Sequence, residues 1–193
     1  MKKLTTLALL LTATIQAFAG EIKITANLTG FADNAVVYLM SGQTPIAYQT
    51  LAQGKVELSA EVSETPDTYT MYVVENNQPY CTRLFVANET IGIKANKNDF
   101  PYAVKVIGSK HHDIKAKLDE LQMPIHKKAE ALKQEITALQ QTAEWQQTEV
   151  QEKYVGTNGL ANQLTKELKQ VEADFILNNF NNAYTWTLLP YNT

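Results

Sequence analysis

Between residues 21 and 108, hydrophobic side chains recur at every second position, in short runs separated by turn residues. Ile22, Ile24, Ala26 and Leu28 alternate with polar partners, and Val37 and Leu39 follow the Asp33-Asn34 turn. Val56, Leu58, Ala60 and Val62 alternate after Gln53-Gly54, a hairpin-turn dipeptide. Met71, Val73 and the run at 82–87 continue the pattern, followed by Ile91, Ile93 and Ala95, then Val104 and Val106. A period of two puts the apolar residues of each run on one face of a strand. About eight such strands predict an antiparallel β-sandwich over residues 20–108, with Pro45, Pro66, Pro79 and Pro101 in its loops. No helical stretch separates the runs, which argues against a doubly wound parallel sheet.

After Gly108-Ser109 the period changes. Leu118, Ile125, Leu132 and Leu139 repeat every seven residues, and Ala129, Ile136, Ala143 and Val150 form a second row. Together they make one apolar seam on a long helix, weakening at Gln146 beside Trp145. Gly156 ends that helix, and Thr157 or Asn158 is placed to cap a second one, which carries Leu164, Leu168, Val171 and Phe175. The pattern predicts an α-helical hairpin over 109–193, and with the strands an α+β fold class. Pro124 lacks the N–H a helix interior needs, so it either kinks the first helix or starts a new one. From Pro124 to Val155 that helix would run roughly 48 Å at about 1.5 Å per residue. The β half is only roughly 26 Å across, on a radius of gyration of about 13 Å. Ile125, Leu132 and Ile136 would then lack intrachain cover, favouring a homodimer through the helical hairpin. Beyond Phe180 the chain reads as a turn into another apolar segment, consistent either with a domain end or with a continuation.

Residues 1–19 read as an address. Lys2 and Lys3 precede an apolar stretch at 4–15, and Ala17-Phe18-Ala19 is a small-x-small site with cleavage expected before Gly20. The apolar core, about 12 residues, falls short of the roughly 20 that cross a bilayer. No cysteine stands at the junction to carry a lipid, and no later stretch is long enough to span. The expected localisation is the periplasm or cell envelope. Cleavage removes two of the 17 basic residues, leaving 15 against 20 acidic ones, and Arg83 is the sole arginine. A nucleic-acid partner, which needs clustered cations, is excluded on that balance.

The chemistry-bearing residues are few. Cys81 is the single cysteine, so no intramolecular disulfide and no CxxC redox or zinc site exists. A redox sensor or an intermolecular bridge are its sharper readings, but only Arg83 stands near enough in sequence to activate it, and an inert thiol is expected. His111, His112 and Asp113 are metal-ligand types, yet neighbours on a helix diverge by about 100°. They read better as a polar helix start, with Ser109 as its cap and Asp113 at the positive end of the dipole. His126 would join them only if the chain folded back at Pro124. Gly156-Thr-Asn-Gly159 is too poor in glycine for a phosphate loop. Asn27 and Asn88 match glycosylation acceptors only by chance. The tyrosines and Trp145 would line either a sugar or peptide groove or the core, and aromatic residues on strands favour the core. The sequence assigns no catalytic, cofactor-binding or metal residue, and no cofactor.

Several of these positions carry a likeness. Gly30-Phe31 and Val37-Tyr38-Leu39 within 24–39, the strand at 54–58, Pro66-x-x-Tyr69, Phe85-Val86-x-x-Glu89-x-Ile91-x-Ile93 and Val106-x-Gly108-Ser109-x-x-His112 stand in order along the chain. Over roughly residues 20–190 the pattern resembles a secreted bacterial module, a domain of unknown function, that forms the N-terminal half of thioredoxin-like thiol–disulfide oxidoreductases. The stretch from Asp174 to Asn179 is similar to the segment leading into the thioredoxin-like half, with Asn179 where proline is usual. The resemblance implies a non-catalytic periplasmic binding or dimerisation module, with a thioredoxin-like domain or an envelope protein as partner. The alternative it implies is the N-terminal part of an oxidoreductase whose thioredoxin-like domain lies outside this chain. A free-standing ligand-binding protein using the sandwich face is a third reading. No W-C-x-x-C motif is present, and the likeness carries no catalytic residue onto this chain.

Overall fold

A computed structural model describes residues 19–189. The secretory-signal reading therefore lies outside the described residues, except at Ala19, where the first strand starts. Among the described residues eight strands form: β1 (Ala19–Thr29), β2 (Val36–Ser41), β3 (Thr44–Thr50), β4 (Lys55–Ser63), β5 (Asp67–Glu75), β6 (Gln78–Val86), β7 (Thr90–Asn96) and β8 (Lys105–Ile107). They make two four-stranded sheets, in the orders β4-β1-β7-β8 and β3-β2-β5-β6. The alternating residues do what their period demands. Ile22, Ile24, Ala26 and Leu28 of the first sheet share one core cluster with Val37, Leu39, Met71, Val73 and Leu84 of the second. At the β4 turn, Gln53 and Gly54 both take positive φ, 51° and 71°, the geometry that matches the twist of a tight hairpin. A Cβ on Gly54 would also come within 3.0 Å of the Leu28 carbonyl oxygen. Asn76 and Asn77, at φ 51° and 63°, build the β5–β6 turn in the same way.

Two details of the strands depart from expectation. The first sheet is not wholly antiparallel, because β1 pairs with β7 in parallel, while β4 pairs antiparallel with β1 and β8 antiparallel with β7. A parallel pair needs a long crossover, and here the whole second sheet lies between the two strands in sequence. Pro45 and Pro79 sit in strands rather than loops, and both strands, β3 and β6, are sheet edges. An edge is where a residue without an N–H breaks no ladder bond.

The helices fill the C-terminal half: α1 (Lys110–Leu139), α2 (Thr148–Val155), α3 (Leu160–Asn178) and α4 (Ala183–Leu188), with a 3₁₀ turn at Ala143–Gln146 before α2. Ser109 caps α1, its Oγ accepting from the His112 N–H at 3.0 Å. Pro124 lies inside α1 without ending it. Both Pro124 and Glu120, whose carbonyl loses its usual donor, are exposed, where that loss is least costly. The expected continuous helix from 124 to 155 does not form. α1 stops at Leu139, and the chain turns back so that Tyr154 is buried, its hydroxyl donating to Glu135 on α1. The helix expected after Gly156 is α3, whose N-cap is Gly159 without a side-chain hydrogen bond, so neither Thr157 nor Asn158 serves as its cap. Phe85 carries the contact between helices and strands. It stands on the opposite face of β6 from Leu84 and Val86, and it clusters with Ile114, Leu118, Phe175 and Tyr184.

Candidate functional site

The segment after β7 is tightly built. Asn96 caps a 3₁₀ turn at Lys97–Asp99, its side chain accepting from the Asn98 N–H, while Asp99 Oδ2 accepts from the Asn96 N–H at 2.6 Å. Pro101 follows a cis peptide bond, and its carbonyl accepts from Thr82 Oγ1 at 3.1 Å. The hydrogen bonds hold residues 97–103 against the β6 edge, facing the middle of α1.

Beneath the segment is an aromatic cluster. Phe31 meets Tyr80 edge-on at 5.3 Å and Phe100 at 5.6 Å, geometries that favour ring pairs. Lys97 Nζ lies 5.0 Å from the Tyr80 ring centre and 5.7 Å from that of Phe31, and it pairs with Glu75. The hydrogen bond from Lys97 holds the Glu75 carboxyl below its ordinary range, and the Ala32 N–H adds to this. Lys97 is pushed the other way, chiefly by that same bond.

Between the segment and α1 lies a cleft of about 610 Å³. Its walls include Tyr80, Lys97, Phe100 and Tyr102 on one side, and Met123, His126, Lys127 and Glu130 on the other. Tyr102 and His126 stack face to face across it, with centroids 3.7 Å apart and planes 7° from parallel. Burial holds the His126 imidazole below its usual value, with Asp119 pulling it back up. Burial likewise raises the Tyr102 phenol, and the charges of Glu130, Cys81 and Asp119 add to the shift. The cleft therefore offers a flat, mainly neutral ring pair, an apolar thioether, and ammonium and carboxylate groups at its rim. Groups of these kinds are the ones that fix small amphipathic molecules in protein clefts generally.

The residues singled out in the sequence do not converge. His111 is exposed, whereas His112 is buried and its Nδ1 accepts from the Phe85 N–H at 3.2 Å. Asp113 is exposed in the first turn of α1. Among the described residues, no three metal-ligand side chains gather to hold an ion. Cys81 is half-buried on the β6 edge. The described tyrosines divide: Tyr69, Tyr154 and Tyr184 are buried, Tyr38, Tyr72 and Tyr80 half-buried, and Tyr48 and Tyr102 exposed, so the expected preference for core holds for only some. Trp145 stands apart in the 3₁₀ turn before α2.

No protein-family model matches this chain, and no curated protein matches it. The cleft is thus read from its own geometry. Sequence reasoning missed Lys97, Tyr102 and Met123. The one available signal was the cluster of aromatic and charged residues between Lys97 and Tyr102, in a stretch too short and irregular to be a strand.

Proposed function

We propose that this chain is a non-catalytic binding module of the cell envelope, and that the cleft between residues 97–103 and α1 holds its ligand. In this reading the two sheets form a sandwich, and α1 with α3 forms a helical hairpin that closes over one sheet edge. The carrying observation is the Tyr102–His126 stack in a cleft of about 610 Å³. The ligand is a small molecule with a flat ring, laid against that stack, and a polar group directed at Lys127 or Glu130. Ligand-observed NMR with indole, phenolic and monosaccharide probes tests it. Ring-bearing probes should bind, and Tyr102→Ala should weaken them about tenfold, the equivalent of about 1.4 kcal/mol. Equal binding by the variant would remove the cleft from the account.

Export is part of the same proposal. The mature chain is expected to begin at Gly20 when isolated from the periplasm, and mass spectrometry checks this. The same preparation should show no turnover of insulin disulfides, because Cys81 is the single thiol. An intact N-terminus or thiol-dependent turnover would count against an exported, non-catalytic protein. A homodimer through the helices loses its premise, since Ile125 and Leu132 are buried and Ile136 is half-buried within the chain. Among the described residues no helix is long and apolar enough to cross a membrane.

One observation favours the second reading, that of an oxidoreductase's N-terminal part. Leu177, Phe180 and Trp186 are 77%, 50% and 58% exposed near the end of the described chain, an apolar surface suited to a following domain. Sequencing the gene downstream decides it, because a W-C-x-x-C motif either follows or does not.

A further inference from the structure

We propose that the ligand of the cleft between residues 97–103 and α1 is a free aromatic α-amino acid. Its ring lies on the Tyr102–His126 stack, its carboxylate meets Lys127 and its ammonium meets Glu130. The inference rests on the cleft being the ligand site, and it adds what the ligand must carry. Four charged side chains line the cleft among the described residues: Lys97, Asp99, Lys127 and Glu130. Two of them are engaged within the protein. Lys97 pairs with Glu75 and lies over the Tyr80 ring, and Asp99 accepts from the Asn96 N–H. Lys127 and Glu130 are exposed and free: among the described residues neither side chain makes an ion pair or a hydrogen bond.

These two free charges have opposite signs and stand three positions apart on α1. Side chains so spaced share one side of a helix, with Cβ atoms about 5–6 Å apart. Glu130 also lies four positions after His126, and its charge raises the Tyr102 phenol, which sets the carboxylate on the ring side of the helix. His126, held below its usual value by burial, adds no competing cation at pH 7. An ammonium and a carboxylate borne on one carbon match this rim. A ligand with a single charge leaves one rim group unmatched, and a neutral sugar matches neither. A peptide separates its two terminal charges, so neither of its ends supplies both.

The rest of the lining selects the side chain. Tyr80, Phe100 and Tyr102 contribute rings and Met123 a thioether, groups that pack favourably on an aromatic ring. The stack is closed at 3.7 Å, so the ligand ring lies against it and not within it. Tyr102 is 43% exposed and so retains surface to cover. A volume of about 610 Å³ falls within the roughly 300–1,000 Å³ usual for small-molecule sites.

Isothermal titration calorimetry with L-tryptophan, its N-acetyl and amide forms and indole tests this, together with the matching tyrosine and phenol series. The free amino acid should bind about fivefold more tightly than either capped form, the upper figure for an ion pair at an exposed rim. Lys127→Gln should abolish its advantage over the amide and keep that over the N-acetyl form. Glu130→Gln should do the reverse, a split that a merely loosened cleft would not produce. If the capped forms and the bare ring bind as well as the amino acid, the proposal is overturned while the cleft remains a site for flat rings. A match by one capped form alone overturns it in favour of a peptide end, since the N-acetyl form mimics a C-terminal residue and the amide an N-terminal one. An advantage that survives both substitutions overturns it too, because other groups then read the head charges. Binding by no member of either series removes the cleft and this proposal together.

Discussion

Lowering the pH from 7 to 5 is expected to destabilise the protein before its carboxylates titrate, and His112 is the main reason. Burial, with a smaller contribution from Lys115, pushes this imidazole down to about 4 from an ordinary 6.5. The neutral ring accepts the Phe85 N–H through Nδ1, which a protonated ring cannot do. Between pH 6.5 and about 4 the unfolded chain takes up a proton that the native chain refuses, so stability present above 6.5 is lost as pH falls. The full loss from this one group is on the order of 3 kcal/mol. His126, also held low by burial, acts in the same direction. Asp119 opposes them: burial raises its carboxyl, so its contribution returns as pH falls. Urea unfolding at pH 7, 6 and 5 measures the slope. His112→Gln, which keeps an acceptor and removes the titration, should flatten most of it. An unchanged slope in that variant would assign the effect elsewhere.

Phe85→Ala should cost about 3–5 kcal/mol, in the range for emptying a large aromatic site. Phe85 is 1% exposed, and its ring lies 5.1 Å from that of Tyr184. Its other neighbours, Ile114, Leu118 and Phe175, come from α1 and α3, so one side chain on β6 anchors three helices. The shared core of the two sheets does not include Phe85. Hydrogen exchange should therefore show the α1, α3 and α4 amides opening at far lower free energy in the variant, while those of β1 and β5 keep more of their protection. Equal loss in all of them would mean that helices and sheets unfold as one unit.

The period-two runs disclosed most of the strands because each has one covered face, as in β4, where Val56, Leu58, Ala60 and Val62 are all buried. β3 escaped for the opposite reason. An edge strand with no fully buried residue has no alternation to read, and Pro45 made it look like a loop. The run Leu84-Phe-Val-Ala87 did hold a signal, because a strand apolar on both faces is covered on both. The helix break after Leu139 had no local mark. Ala143 and Val150 continue the spacing, and it is the return of Tyr154 to Glu135 that sets the fold there. Lys97, Tyr102 and His126 are brought together only by the packing of α1 against the segment after β7, which no local pattern could show.

The parallel pairing of β1 with β7 bears on how quickly the molecule can assemble. Thr29 faces Asn96, 67 positions away, and every other rung of that ladder spans the same distance. β1, one of the two inner strands of the first sheet, must therefore wait for one of its neighbours until nearly half the chain is in place. Contacts of such long sequence separation slow folding, because the loop between them must be closed before the ladder offers any return. A fusion or truncation that ends before Thr90 would leave β1 with one bare flank and a strong tendency to pair with another molecule. Residues 20–96 are thus the smallest piece in which the N-terminal strand has both of its neighbours.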